Sequence, residues 1–406
     1  MSTSLPIHRP ILGNGAFLRL WGAGGVSAAM LWLEILAASL FTFEATGSSL
    51  AVAAVSAARA APLLLFGAVA GVMSDAWNRR SIVLGGLVLS AVSAGSVAML
   101  GSAGLARPWH LAVAAFVSGC AYATEFPARR RMVAEAVPVE RIDGAVAVDS
   151  LTSYAARCGG PIVGGLAFQH LGLGGTFAIS CLCNGAIVAA VAGLRHHQAT
   201  RVLRLDRFRD ALRAALRFAA RAPTLRSLLY VTVVMNLCGY SYATLIAPVG
   251  LRSLGLDSTG TGLLAAAEPA GALLGGVVLT RILPPGSRLG WLMGGVAVLS
   301  CGLLAAAALG GAAAPFSLIC LVLAVGGFGS AIYTLSQTTL ALAATPPELR
   351  SRVMGLITVC IGSWPLGMLL AGGLAALLPP LGALAALAGT GLVLIGLVAL
   401  VGTREA

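Results

Sequence analysis

The chain alternates long apolar runs with short turns rich in Arg, Pro and Gly. Leu50–Val72 is nearly all apolar, and Ile82–Leu100 holds no charge at all. Between them lies a short charged turn, Gly71-Val72-Met73-Ser74-Asp75-Ala76-Trp77-Asn78-Arg79-Arg80. A hydrocarbon core about 30 Å thick needs roughly 20 apolar residues per helix, and that length recurs along the whole chain. The pattern predicts twelve spans, over residues 17–43, 50–73, 82–103, 109–128, 144–168, 172–194, 227–250, 259–280, 289–309, 315–337, 353–376 and 379–402. Only helices satisfy their own backbone hydrogen bonds in lipid, and the alternation of barrel strands is absent, so the expected fold is all-α.

Composition agrees and removes the soluble multidomain reading that 406 residues would otherwise suggest. Apolar residues make up 58% and charged ones 10%, with a mean hydropathy of +0.93; soluble domains average about 25% charged. Lys is absent, so orientation rests on the 26 Arg alone. Arg107 and Arg252 fall on outward loops and Arg59 and Arg157 within spans, while all the others collect on inward loops, tails and helix ends if both termini are cytoplasmic. The net charge of +12 is then a topology signal plus contact with anionic lipid. Scattered over short loops, these Arg residues do not suit nucleic-acid binding. Met1–Gly15 is polar and lacks an Ala-x-Ala-type site, so no cleavable signal peptide is expected.

Several chemistries are excluded. Without Lys there is no Walker-type phosphate loop and no Schiff base. The five His (His8, His110, His170, His196 and His197) show no ligand spacing, and all eight Cys fall within apolar spans. No cofactor, metal, disulfide or enzymatic activity is expected. A basic segment, 195–226, separates the halves 1–194 and 227–406. In it Arg209, Arg213, Arg217 and Arg221 recur beside Phe208, Leu212, Leu216 and Ala219, as in an amphipathic helix lying on the inner leaflet. Pro138-Val139-Glu140 matches Pro346-Pro347-Glu348, and Gly164-Gly165-Leu166-Ala167 matches Gly372-Gly373-Leu374-Ala375, both at an offset of 208 residues. That offset suggests a parallel repeat of two six-span halves, with a substrate site between them at mid-membrane.

The turn Gly71-x-x-x-Asp75-x-x-x-Arg79-Arg80 resembles the major facilitator superfamily signature, with Ala76 where a base is usual and Asn78 in place of Gly. Asn tolerates positive φ, so the turn can survive. Phe17-Leu18-Arg19-Leu20-Trp21, Thr46-Gly47-Ser48, Ala128-Arg129-Arg130-Arg131 through Arg141, and Ala156-Arg157-Cys158-Gly159-Gly160-Pro161 running into Gly164-Gly165 are similar to the branch of drug and siderophore exporters that includes enterobactin and macrolide efflux proteins. The second half departs from the pattern: Gly276 to Arg288 lacks any acid, with Thr280 at the Asp position. The resemblance implies that Asp75 latches the halves on the cytoplasmic side against the helix start near Arg352–Gly355, by accepting from its N-terminal amides. It also implies that Arg79 or Arg80 pairs with an acid at the inner end of the fourth span, Glu125. The Gly159, Gly160, Pro161, Gly164, Gly165 motif is associated with exporters and is expected to break or bend the fifth span.

An ionisable residue within a span is a functional candidate, because burying it costs roughly 2.5–3.5 kcal/mol or more. Glu34 and Arg59 sit at similar depth on either side of a shared outer loop. They form either an ion pair or a cavity in which Glu34 carries a proton. Arg157 either holds an anionic substrate or pairs with Asp149, two turns earlier. Glu268, followed by Pro269, reads as an isolated carboxylate suited to a proton or cation; Glu44 reads as solvated. Trp32, Trp291, Trp364 and Tyr240 are candidate cavity walls. The expected protein is a monomeric, proton-coupled exporter of a small amphipathic compound in a bacterial-type inner membrane. Uptake by the same fold, or a membrane sensor, are the alternatives.

Overall fold

The computed structural model describes residues 14–76, 78–194, 216–282, 289–346 and 349–402, and among them every regular element is helical. Among the described residues ten helices are long and apolar enough to cross a membrane. The first four are α1 (Gly15–Thr46), α2 (Ser49–Ala76), α3 (Arg79–Ser102) and α4 (Pro108–Glu135). Their ends follow local chemistry. Asn14 caps α1 by accepting from the amides of Ala16 and Phe17, and Gly47 closes it in the left-handed region at φ 64°. Asn78 caps α3 by accepting from the amides of Arg80 and Ser81. Its φ is −63°, so Asn stands here as a helix cap and not, as the sequence suggested, as a residue tolerant of positive φ.

A continuous run, Ile142–Ala192, is 51 residues long. At about 1.5 Å per residue it would be ~75 Å, more than twice a hydrocarbon core. It is broken at Gly172, where φ 63° and ψ −169° leave the helical region, giving α5 (residues 142–171) and α6 (residues 173–192). The expected break at Gly159-Gly160-Pro161 is absent. The backbone stays helical through Pro161, because a proline costs the helix one hydrogen bond but leaves its own φ compatible with the turn.

The second half continues with α7 (Pro223–Ser253), α8 (Ser258–Ile282), α9 (Leu289–Gly311), α10 (Phe316–Ala343), α11 (Arg350–Ile361), α12 (Trp364–Leu377) and α13 (Pro380–Gly402). α7 is irregular: after Val234 it passes through π turns at Met235–Gly239, 3₁₀ turns at Tyr240–Leu245 and π turns again at Val249–Ser253. One large apolar cluster is drawn wholly from residues 219–395, around Leu228, Met235, Leu299 and Leu387. Two others, around Leu40 with Val97 and around Phe17 with Met132, come mostly from residues 17–194, with Ala247 and Leu251 of α7 joining the first. Of the basic segment, residues 195–215, with Arg209 and Arg213, lie outside the described residues. At its end Ala219 is buried while Arg217 and Arg221 are exposed.

The two segments matched in sequence both lie where the halves meet. A side chain at Gly165 would come within 2.3 Å of the Ser258 carbonyl of α8, and one at Gly372 within 2.3 Å of Ala53 of α2. Gln169 accepts from the Thr259 amide at 3.1 Å, tying α5 to α8. Without a hydrophobic drive between helices in lipid, such small residues let backbones approach and pack.

Gly172 holds a backbone conformation open essentially to glycine alone. Gly172→Ala is expected to lose about 1–3 kcal/mol of stability, read as a lower midpoint of thermal unfolding in detergent.

Candidate functional site

The first buried charge pair joins α1 to α2. Arg59 Nη1 donates to Glu34 Oε2 at 3.1 Å. Ser180 Oγ of α6 donates to the other carboxylate oxygen at 2.5 Å, and Asn184 donates to Ser180 in turn. Glu34 is 5% exposed. Beside the pair lies a cavity of about 150 Å³ enclosed chiefly by α1–α4. Its walls are otherwise mainly apolar, with Leu63, Phe177 and Met368 among them and Ser56, Ser93, Ser118 and Thr244 between. Trp32 and Trp364 also line it, whereas Trp291 is exposed on the outside of the molecule.

The second pair spans the two halves. Arg157 Nη2 of α5 donates to Glu268 Oε2 of α8 at 2.8 Å. Tyr242 donates to the same oxygen at 3.0 Å, and Ser330 donates to Oε1. Glu268 is only 1% exposed. The Arg157 guanidinium also lies 5.4 Å from the Trp32 ring centre and 5.5 Å from that of Tyr240, one aromatic from each half. Glu268 is therefore not isolated, and Arg157 does not pair with Asp149. Asp149 and Arg157 share a helix, but Asp149 Oδ1 instead accepts from Arg129 Nη1 on α4 at 2.8 Å. The irregular turns of α7 present Tyr240 and Tyr242 to this pair; departures from α-helix of this kind concentrate at functional sites.

The glycine motif of α5 serves close packing. A side chain at Gly160 would meet Trp32 Cβ at 2.6 Å, and one at Gly164 would meet Leu33 at 3.0 Å. Gly165 and the Pro161 carbonyl face Ser258 and Gly262 of α8. Gly159 meets nothing. The motif wedges α5 between α1 and α8, which fixes where Arg157 points.

The Arg-rich end is arranged differently from the expectation. Arg79 pairs with Glu135, at the end of α4, and Arg80 Nη2 donates to the Ala192 carbonyl at 2.6 Å. Helix α4 runs to Glu135, about three turns beyond Glu125, so Glu125 lies too deep in the span to meet α3's first turn. Glu125 instead contacts Arg129 at 3.1 Å. Glu125, Arg129 and Asp149 thus form a buried triad on α4 and α5, with the Arg129 guanidinium seated against Gly24 of α1. Gly71 and Asp75 belong to helical backbone, but their surroundings lie outside the described residues. Glu44 is exposed.

Sequence reasoning missed Tyr242, Ser330, Ser180 and Asn184. Polar residues inside the sixth, seventh and tenth apolar runs were the available signal. Among the described residues no three metal-ligating side chains gather in one place.

Apolar helices that cross a membrane, a cavity among them and an ion pair joining two halves define a membrane carrier rather than an enzyme. The transmembrane secretion effector family matches residues 9–404, and the chain belongs to this major facilitator family. It is a multi-pass transporter of the cytoplasmic membrane. YfiS of Bacillus subtilis (strain 168), an uncharacterized MFS-type transporter, is 24% identical over 176 residues. That match covers 43% of this chain and 41% of the relative, so it spans about two fifths of that protein's length. A bacterial homologue of the human lysosomal transporter Spinster, inward-facing and occupied, shares the fold at TM-score 0.73 with 15% identity over 98% of each chain. The POT family transporter PepTSo does so at TM-score 0.73 and 13% identity, over 95% of this chain and 98% of that one. The nucleoside transporter NupG gives TM-score 0.68 and 16% identity, over 96% and 98%.

Removing one member of a buried charge network strands the rest. Arg129→Ala is expected to destabilise by about 3–5 kcal/mol, seen as loss of monodisperse protein after detergent extraction. Adding Glu125→Gln and Asp149→Asn to that variant should restore most of the yield.

Proposed function

We propose that the chain is a proton-coupled exporter of small amphipathic compounds, such as a drug, macrolide or siderophore. It works as a monomer by alternating access of two six-helix bundles, residues 1–194 and 227–406, joined by the basic linker 195–226 against anionic lipid. In this reading the spans number twelve, with α2, α5 and α6 each counted singly and α11 and α12 together forming one. Both termini are cytoplasmic. The observation that carries the reading is the Arg157–Glu268 pair, 2.8 Å across the halves and sealed by Tyr242, Ser330 and two aromatic rings. A proton on Glu268 removes the charge that holds Arg157, and re-forming the pair expels the proton. That gives a strut whose state depends on proton occupancy and on any anionic group that competes for Arg157.

The apolar cavity with the single Glu34–Arg59 pair suits an amphipathic cargo. The contacts Gly165–Ser258, Gln169–Thr259 and Gly372–Ala53 draw together helix ends that the proposed topology puts outside. They support a conformation closed to the exterior. Asp75 would then latch the cytoplasmic side in the opposite state, with Gly71 shaping the turn and Arg79 and Arg80 anchoring α3 to α4 and α6. The description of the family as secretion effectors favours export over uptake.

The test uses everted vesicles, acid inside, with a pH-sensitive dye and a panel of macrolides, lipophilic cations and catecholate siderophores. One compound class should trigger proton release in wild type, and Glu268→Gln should abolish it while still reaching the membrane. Flux that ignores the pH gradient and follows a sodium gradient would overturn proton coupling. Compound entry driven by the reverse gradient would overturn export.

A further inference from the structure

A second chamber of about 30 Å³ lies beside the Glu34–Arg59 pair, toward the Arg-rich end. Polar side chains line it on several helices, with Ser27 of α1, Ser90 of α3 and Asn184 of α6 among them. Glu34 and Arg59, and Tyr122 and Glu125 of α4, also line it. Three buried atoms of its lining residues make no hydrogen bond: Ser27 Oγ, Arg59 Nε and Glu125 Oε1. The Glu125 oxygen also faces Arg129 Nε at 3.1 Å, which leaves one of its lone pairs for a further donor.

Buried polar atoms are nearly always satisfied, by protein or by ordered water. The chemistry of these three selects the ligand. Arg59 Nε only donates, the Glu125 oxygen only accepts, and the Ser27 hydroxyl does both. A metal ion would answer the oxygens and leave the Nε–H unmet. Water answers all three, and a chamber of about 30 Å³ has room for about two at roughly 10–15 Å³ each.

We propose that this chamber holds ordered waters that connect the Glu34–Arg59 pair to Glu125 and pass protons between them. Charge supports the direction. Glu34 with Arg59 is neutral, but Glu125, Arg129 and Asp149 set two carboxylates against one guanidinium, a net charge of −1. In the transfer, the Glu34 carboxyl gives its proton to the nearest water, and the far water gives one to Glu125. The O–H bond broken at Glu34 is matched by the one formed at Glu125. Glu34 is left as a carboxylate paired with Arg59, and Arg129 keeps Asp149 as its counter-ion. The groups facing the path are Glu34, Arg59, Tyr122, Glu125 and, behind Glu125, Arg129 and Asp149. The relay, unlike the water site itself, rests on the proton-coupled reading above.

Radiolytic hydroxyl-radical footprinting of the full chain tests the water site without any substrate. Met30 lines the chamber and is 8% exposed, Met99 is 75% exposed and Met235, in the apolar cluster, is 0% exposed. Met30 should oxidise nearly as fast as Met99 and an order of magnitude faster than Met235. Ser27→Val with Ser90→Val should bring it down to the rate of Met235, while Met235 itself stays protected and so reports an intact fold. Met30 as slow as Met235 in wild type overturns the water site. The relay is then read in the vesicle assay with the same compound panel. Ser27→Val should slow compound-triggered proton release by an order of magnitude, and an unchanged rate beside a wild type that releases protons overturns the relay. A wild type that releases none overturns proton coupling instead, and footprinting still decides the water site.

Discussion

A charge inside hydrocarbon must find its counter-charge within the protein, and the architecture of this transporter turns on that requirement. Among the described residues the buried ionic groups fall into three clusters: Glu34 with Arg59, Arg157 with Glu268, and Arg129 with Glu125 and Asp149. Each ties one helix to another. The first holds α1 to α2 and, through Ser180, to α6. The third holds α4 to α5. The second crosses between the halves, so any motion that separates α5 from α8 must break it. A lone Arg or Glu at that depth is costly. Separation is therefore coupled to whatever neutralises or replaces a partner, whether a proton on Glu268 or an anionic group at Arg157.

Close packing sets how well these pairs can be placed. Gly160 and Gly164 let α5 settle on α1, and Gly165 lets it meet α8. Gly24 makes room for the Arg129 guanidinium, and Gly86 for the side chain of Glu125. At Gly24, Gly86, Gly160 and Gly164 a Cβ would fall below 3.1 Å from a neighbour that forms or flanks a charge pair. The glycines and the charges are one design. Small residues supply the backbone proximity that lets short, well-aligned ion pairs form in a medium that tolerates no others.

Much of the fold was legible because the membrane simplifies the code. Hydropathy located the apolar helices, and the symmetric placement of Glu34 and Arg59 about Gly47 put them at one depth. What failed was information that no local pattern holds. Arg157 and Glu268 are 111 residues apart, and their meeting depends on how α5 packs on α8. The choice between Glu125 and Glu135 depended on where α4 ends; its charged last turns, Ala128-Arg129-Arg130-Arg131, read as loop but remain helical. Pro161 looked like a break because proline usually is one, while the break sits at Gly172, the residue able to take φ 63° with ψ −169°. The signature Asp75 lies at the end of α2, but the surroundings of its side chain lie outside what the structure describes, and its latch is an expectation from resemblance and from the helix dipole.

The three clusters also differ in charge balance, and that difference orders them. Two are neutral pairs beside the cavity or between the halves; the third carries an extra carboxylate and lies toward the Arg-rich end. In hydrocarbon an unmatched carboxylate is an unfilled demand for a proton. Its place, away from the apolar cavity and near the end that the proposed topology gives to the cytoplasm, is where the exporter proposed above would need its last acceptor. A neutral pair suits the step that must switch, because a single proton unbalances it. A cluster one charge short of neutrality suits the step that must receive, because a single proton completes it.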